Sequence, residues 1–294
     1  MSEKLVFLNE RYVTLIRSFL EVCIKEKVAP HYVNKLLRDD IMSILENNSI
    51  VVYYPLEDEA NNGFLTRGFI LYGESETRDF VFINTAKDTE MQAFAAAHEL
   101  GHIWGLVEFF ETNGIILDAE MEERVMNRFA AELMIPEEHF RKLFVELILK
   151  NHDDLSAQKT KVDPPLFFQI IAELMNEFFV PDKAIILRLL ELNFISASTA
   201  EFIINELEKP DGTNVRKLIE KAIQDAGYTK LLKPTNKKWI NDLPELLERA
   251  EKKETLTKSK IDTMRAKFEI VQETYSVNLN DIDLTFLRNG SEEH

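Results

Sequence analysis

From Asn9 to about Lys27, apolar side chains recur at the three- and four-residue spacing of one helix face: Tyr12, Leu15, Ile16, Phe19, Leu20, Cys23 and Ile24. A second helix is expected after Pro30, with Val33, Leu36, Leu37, Ile41 and Ile44 along one side. The pattern then changes to β-branched and aromatic runs. Ile50-Val51-Val52-Tyr53-Tyr54 ends at Pro55, and Phe69-Ile70-Leu71-Tyr72 and Phe80-Val81-Phe82-Ile83-Asn84 follow. Such runs, bounded by turn-forming residues, predict a small antiparallel sheet. A sheet of this kind can pair an extended peptide along a free edge, but the pattern does not say which strand is the edge.

Helical periodicity resumes at Thr89, which forms a capping-box signature with Gln92 just before an apolar run. Asn113-Gly114 marks a turn. A strong helix then covers residues 118–135, closed by Pro136, and the same proline opens the next helix to about residue 150. Residues 151–165 read as a polar linker. Beyond it the chain reads as helical throughout: a stripe of Phe167, Phe168, Ile171, Leu174, Met175 and Phe178, then helices near 184–192, 199–208, 215–226, 244–253 and 259–274. The phenylalanines are assigned to the core, and the tail after Ser276 is weakly patterned. No fixed-period repeat or low-complexity tract is present. The expected fold is α+β and mostly helical. Its parts are residues 1–150 with two N-terminal helices and the sheet, a helix-turn-helix-like segment at 151–200 packed on them, and a helical region at 201–294 of no assigned role.

A chain of 294 residues with 45% hydrophobic side chains can bury a substantial core. The start of the chain, Met1 to Arg11, lacks the basic and apolar regions of a secretory signal, and no apolar run is long enough to span a membrane. The single cysteine, Cys23, cannot form an internal disulfide and fits a core position. These features predict a cytoplasmic protein with no membrane partner. The net charge of −16 argues against nucleic-acid binding by the chain as a whole. A local basic stretch from Arg216 to Trp239, with Tyr228 nearby, is read as a solvated helix face and loop in preference to a single-strand binding surface.

Two of the six histidines stand four apart in Ala97-His98-Glu99-Leu100-Gly101-His102-Ile103-Trp104. Helical residues rotate by about 100° each, so His98 and His102 lie a turn apart on one face and can bind one metal ion without backbone rearrangement. Glu99 is placed to work on water at the metal without being a ligand. This H-E-x-x-H order is that of zinc metallopeptidases. It arises by chance in only about one in a hundred chains of this length and histidine content, and the alanines and aromatics around it argue for a buried site. His31, His152 and His294 read as solvated residues.

A catalytic zinc site needs a third protein ligand, with the fourth position left to water or substrate. The candidates are Asp118, Glu120, Glu122 and Glu123, in the helix that follows. Acids in a first helical turn also complement the macrodipole, which accounts for much of the cluster. Glu123, Asn127, Ala130 and Ala131 suit a face that approaches the motif helix, whereas Glu122 shares its face with Met126 and Phe129. Periodicity alone leaves the choice open. Asn127, a turn after Glu123, is a candidate hydrogen-bonding partner that would hold a ligand in place.

His98-Glu99-Leu100-Gly101-His102 followed by Glu123-x-x-x-Asn127-x-Phe129-Ala130-Ala131-Glu132-Leu133-Met134-x-Pro136 closely resembles the ImmA/IrrE family of metallopeptidases. The resemblance spans roughly residues 50–195, including Phe179-Val180-Pro181 and Arg188-Leu189. It implies a zincin-like core, a bound Zn2+ with ligands His98, His102 and Glu123, and Glu99 as catalytic acid/base. It also implies limited cleavage of a protein partner, typically a transcriptional regulator of the phage or mobile-element repressor type. Two departures stand out. Met126 occupies the place where the family usually has alanine, and the attached Xre-type helix-turn-helix that many members carry is not recognisable in this sequence. His139 and Tyr72 are the available guesses for an oxyanion donor, His139 fitting better as an ordinary helix-start residue. The competing reading is a zinc-stabilised interaction protein that docks a partner without cleaving it. The intact Glu99 speaks against that.

Overall fold

Helix α1 (Glu10–Lys27) forms where the periodicity places it, and the Asn9 side chain caps it by accepting from the Tyr12 amide at 3.2 Å. Its buried residues, Ile16, Phe19, Leu20 and Cys23, are one stripe of that pattern. The computed structural model describes residues 8–28, 35–56, 63–70, 77–150, 163–209 and 214–268. Of the expected second helix, Val33 lies outside the described residues and Leu36 and Leu37 are not helical. Arg38, at φ 50°, leads a single 3-10 turn, so α2 covers only Ile41–Asn48.

Three strands follow, β1 (Ile50–Tyr54), β2 (Gly63–Ile70) and β3 (Thr77–Asn84). The sheet is mixed and not antiparallel throughout. β1 runs parallel to β3, with Ile50 opposite Phe80 and Tyr54 opposite Asn84, while β2 pairs antiparallel on the outer side of β3. The apolar runs mark strands but carry no information on neighbour order, and placing β2 outside β3 makes β1 and β3 run the same way. Val51, Tyr53, Val81 and Ile83 turn into the core. The helices α3 (Thr89–Trp104), α4 (Leu106–Thr112), α5 (Ala119–Met134), α6 (Glu137–Lys150), α7 (Pro164–Phe178), α8 (Asp182–Glu191), α9 (Ala197–Leu207) and α10 (Asn214–Asp225) come next. Phe19 of α1 packs between Phe109 of α4 and Phe129 of α5, at ring-centroid distances of 5.1 and 6.1 Å.

The region expected to be helical throughout contains a strand. β4 (Trp239–Ile240) pairs antiparallel with the outer side of β1, giving the order β2-β3-β1-β4. Asn241 anchors it: its side chain accepts from the Val51 amide and donates to the Glu46 and Ser49 carbonyls, each at 3.1 Å. Two residues are too short to show a strand period, and the pairing depends on a segment far away in sequence. The helices α11 (Leu243–Lys252) and α12 (Lys258–Lys267) belong to a second compact unit, residues 244–294, where Arg265 pairs with Glu251 at 3.0 Å. No helix among the described residues is long and apolar enough to cross a membrane.

One buried ion network joins four helices of the first unit. Glu132 of α5 receives both terminal nitrogens of Arg188 of α8, at 3.1 and 3.2 Å, together with Arg128 and, from α1, Arg17. Arg188 also donates to the Ile135 carbonyl at 3.0 Å, and Arg17 reaches Glu137 of α6 at 2.7 Å. Burial alone would raise the Glu132 carboxyl, but Arg188, Arg128 and Arg17 outweigh it and hold it down from 4.5 to about 2. A carboxylate depressed on folding stabilises fully above its unfolded pKa, so this contribution is complete above pH 4.5 and is lost as pH falls through about 2. Removing one partner of a buried pair costs about 3–5 kcal/mol. Arg188→Met is therefore expected to lose about 3 kcal/mol in urea unfolding at pH 7, a deficit that narrows as pH is lowered from 4.5 towards 2.

Candidate metal centre

The motif helix α3 is held at its start by other parts of the chain and not by a capping box. Asp88 is the N-cap, without a side-chain cap bond. The Thr89 hydroxyl instead donates to the Lys230 carbonyl, and the Gln92 amide donates to the Lys87 carbonyl at 2.6 Å. The segment leading to β4 lies along this end: Lys233 accepts from the Thr89 amide at 3.1 Å, and the Leu232 amide donates to the buried Glu90 at 3.1 Å. At the other end Gly105, at φ 88°, takes the left-handed conformation that glycine adopts without strain, and separates α3 from α4.

Between its ends, α3 crosses α5 closely. A Cβ on Gly101 would lie 2.7 Å from the Met126 sulfur and 3.0 Å from a Phe129 ring carbon. The glycine between the two histidines thus lets α5 approach. Met126 fills the space over it. Trp104 closes the same interface edge-on to Phe129, with centroids 5.9 Å apart.

This crossing brings His98, His102 and Glu123 together, with one ligand atom of each within 4.8 Å of the others. His98 Nε2 lies 3.6 Å from Glu123 Oε2, and its Nδ1 lies 3.2 Å from Asn127 Oδ1. A neutral imidazole that donates from Nδ1 keeps the free pair on Nε2, the nitrogen that faces Glu123. Burial lowers the His98 pKa, with Glu123, Asn127 and Glu122 acting in the opposite direction. That favours the neutral ring a metal needs. Glu122 does not belong to the converging set; it lies 3.4 Å from His102 Nδ1. Glu120 pairs with Arg124 at 3.9 Å, and Asp118 is the N-cap of α5, accepting from the Met121 amide at 2.8 Å.

Glu99 is buried, and its Oε2 has no hydrogen-bond partner among the described residues. Burial, and then the charge of Glu123, push its carboxyl up from 4.5 to about 7. An unsatisfied buried carboxylate oxygen costs stability unless something else occupies its surroundings. Two imidazoles, one carboxylate and this orphaned oxygen suit a borderline-soft dication such as zinc. The residues fit the metal.

Among the described residues, His139 is not in the converging set. His139 pairs with Glu177 at 3.3 Å, and His31, His152, His294 and Tyr72 lie outside the described residues. Three cations of the basic stretch at 216–239 face internal partners. Arg216 faces Asp182 at 4.0 Å, Lys230 pairs with Asp39 at 2.8 Å, and Lys237 sits over the rings of Tyr53 and Trp239 at 4.6 and 5.6 Å. Cys23 is buried, and burial pushes its thiol up to about 11, which suits a core residue.

A small mixed sheet, an H-E-x-x-H helix and an acid delivered by a second helix define a metallopeptidase-type domain. Residues 49–190 match the family model of the IrrE N-terminal-like domain (Peptidase_M78), which supports the ImmA/IrrE resemblance over that stretch. No curated protein matches the chain.

The geometry separates the neighbouring acids in a way that metal binding can measure. Glu123→Ala is expected to weaken Zn2+ binding by more than about a hundredfold, beyond the usual effect of an outer-shell partner. Glu120→Ala, whose side chain turns to Arg124, is expected to stay within about threefold of wild type, the scale of a screened surface charge. Competition against a chromogenic chelator reads both.

Proposed function

We propose that this protein is a zinc-dependent endopeptidase that makes one or very few cuts in a regulatory protein, with a repressor-type transcription factor as the substrate class. The supporting observation is the buried carboxylate of Glu99 beside three converging donors, His98, His102 and Glu123. The family match over residues 49–190 supports peptidase activity in general, and the motif resemblance supports a regulatory target. When bound, zinc supplies Lewis acidity, acidifying water and polarising the scissile carbonyl. His98, His102 and Glu123 hold it, and Asn127 fixes the His98 ring through Nδ1.

Glu99 is the proton carrier. Its buried carboxylate, with Oε2 unpartnered among the described residues, is placed to take a proton from the attacking water and return it to the leaving amine. The substrate enters as an extended segment along a sheet edge. Among the described residues β4 already pairs with the outer side of β1, whereas the outer side of β2 pairs with no strand. α3 packs against β2, so a peptide added there would run beside the motif helix. Both observations support β2 as the docking edge.

The purified protein is expected to take up one equivalent of zinc and to cleave a candidate repressor encoded by a neighbouring gene. Glu99→Gln keeps size and hydrogen-bonding capacity but not the base. It is expected to retain zinc and substrate binding and to lose cleavage by at least about a hundredfold. A Glu99→Gln protein that matched wild type in the biological response while cutting nothing would mark the domain as a zinc-stabilised docking module.

A further inference from the structure

Glu122 and Glu123 are adjacent in sequence and diverge in space. Successive helical residues point about 100° apart, and on α5 that rotation sends them to different histidines. Glu123 Oε2 lies 3.6 Å from His98 Nε2, and Glu122 Oε1 lies 3.4 Å from His102 Nδ1. Among the described residues, only Glu123 joins the two imidazoles in the converging set. The two rings are served in parallel, because Nδ1 of His98 meets Asn127 and Nδ1 of His102 meets Glu122, both from α5.

We propose that Glu122 is a positioning residue for His102. Its carboxylate accepts the Nδ1 proton, fixes the ring and its tautomer, and leaves Nε2 with the free pair. This rests on the reading of His98, His102 and Glu123 as a metal centre. A carboxylate behind a ligating imidazole raises its basicity as well as orienting it, and loss of such a partner typically weakens metal binding by about 10–100-fold. The two histidines are therefore not equivalent. His98 is backed by a neutral amide and His102 by a charged carboxylate, so the His102 contact is the one that depends on charge. The Glu122 side chain is about one-third exposed, at 32%, so truncating it removes the contact without opening a core cavity.

The test compares wild type with Glu122→Ala, Glu122→Gln, Glu123→Ala and Glu120→Ala, using Zn2+ affinity by chelator competition and the visible spectrum of the Co2+-loaded protein. Thermal unfolding of the metal-free forms checks the fold. Glu122→Ala is expected to bind one equivalent with an unchanged cobalt spectrum and an affinity about 10–100-fold weaker. Glu122→Gln should recover part of the loss, since an amide oxygen still accepts from Nδ1 but without the charge. Glu120→Ala removes the same charge from the same helix without touching a histidine, and should stay near wild type. Wild-type affinity in Glu122→Ala overturns the proposal. So does an equal loss in Glu120→Ala, which would reduce the effect to general charge. A Glu122→Ala protein that loses the cobalt spectrum while Glu123→Ala keeps it makes Glu122 the ligand and also overturns it. Absence of metal uptake by the wild type removes the metal centre itself, a result distinct from failure of the Glu122 contact alone.

Discussion

At Gly101 the motif helix and α5 come so close that a methyl group would lie 2.7 Å from the Met126 sulfur. Every functional contact of the site crosses this interface. His98 and His102 are carried by α3, and Glu122, Glu123 and Asn127 by α5. A third ligand with a short side chain can join two histidines only if its backbone is brought near, and a glycine on one helix is the direct way to do that. The phenyl ring of Phe129 and the indole of Trp104 then pack against each other across the same crossing. The register of one helix on the other is set by apolar contacts, and the polar groups take their positions from it.

Two further devices keep that crossing in place. The Glu132–Arg188 pair ties the far part of α5 to α8, and through Arg17 and Glu137 to α1 and α6. Charges this deeply buried are tolerable because Glu132 receives three guanidinium groups and Arg188 also finds a backbone carbonyl. At the other end of α3, the segment from Lys230 to Asn241 lies along the first turn and adds β4 to the sheet. This segment falls outside the residues matched by the family, 49–190. Its pairing closes the β1 edge and leaves the β2 edge, on the side of the motif helix, without a partner strand among the described residues.

The electrostatics follow from burial more than from composition. The chain carries a net charge of −16, but two buried glutamates are driven in opposite directions. Glu132, surrounded by arginines, is held down at about 2, whereas Glu99, buried and with Glu123 nearby, is pushed up to about 7. One is structural ballast for the helices. The other sits in an environment suited to moving a proton near neutral pH.

What the sequence determined by itself was local in origin. His98, Glu99 and His102 could be assigned to one helix because their spacing is a property of that helix alone, and α1, α5 and α7 follow from apolar periodicity within single segments. The family motif linked Glu123 and Asn127 to them by resemblance, while periodicity left Glu122, Glu120 and Asp118 open. Only the tertiary structure separated these acids, since an N-cap bond, an Arg124 pair, a His102 contact and convergence on both imidazoles are indistinguishable along the chain. The same holds for the parallel pairing of β1 with β3, for β4, and for Thr89 and Gln92, which bond to distant or preceding carbonyls where a capping box was expected. Repeating side-chain patterns encode which face of an element is buried. Which element covers that face, and which polar group finds which partner, is decided by close packing between segments far apart in sequence.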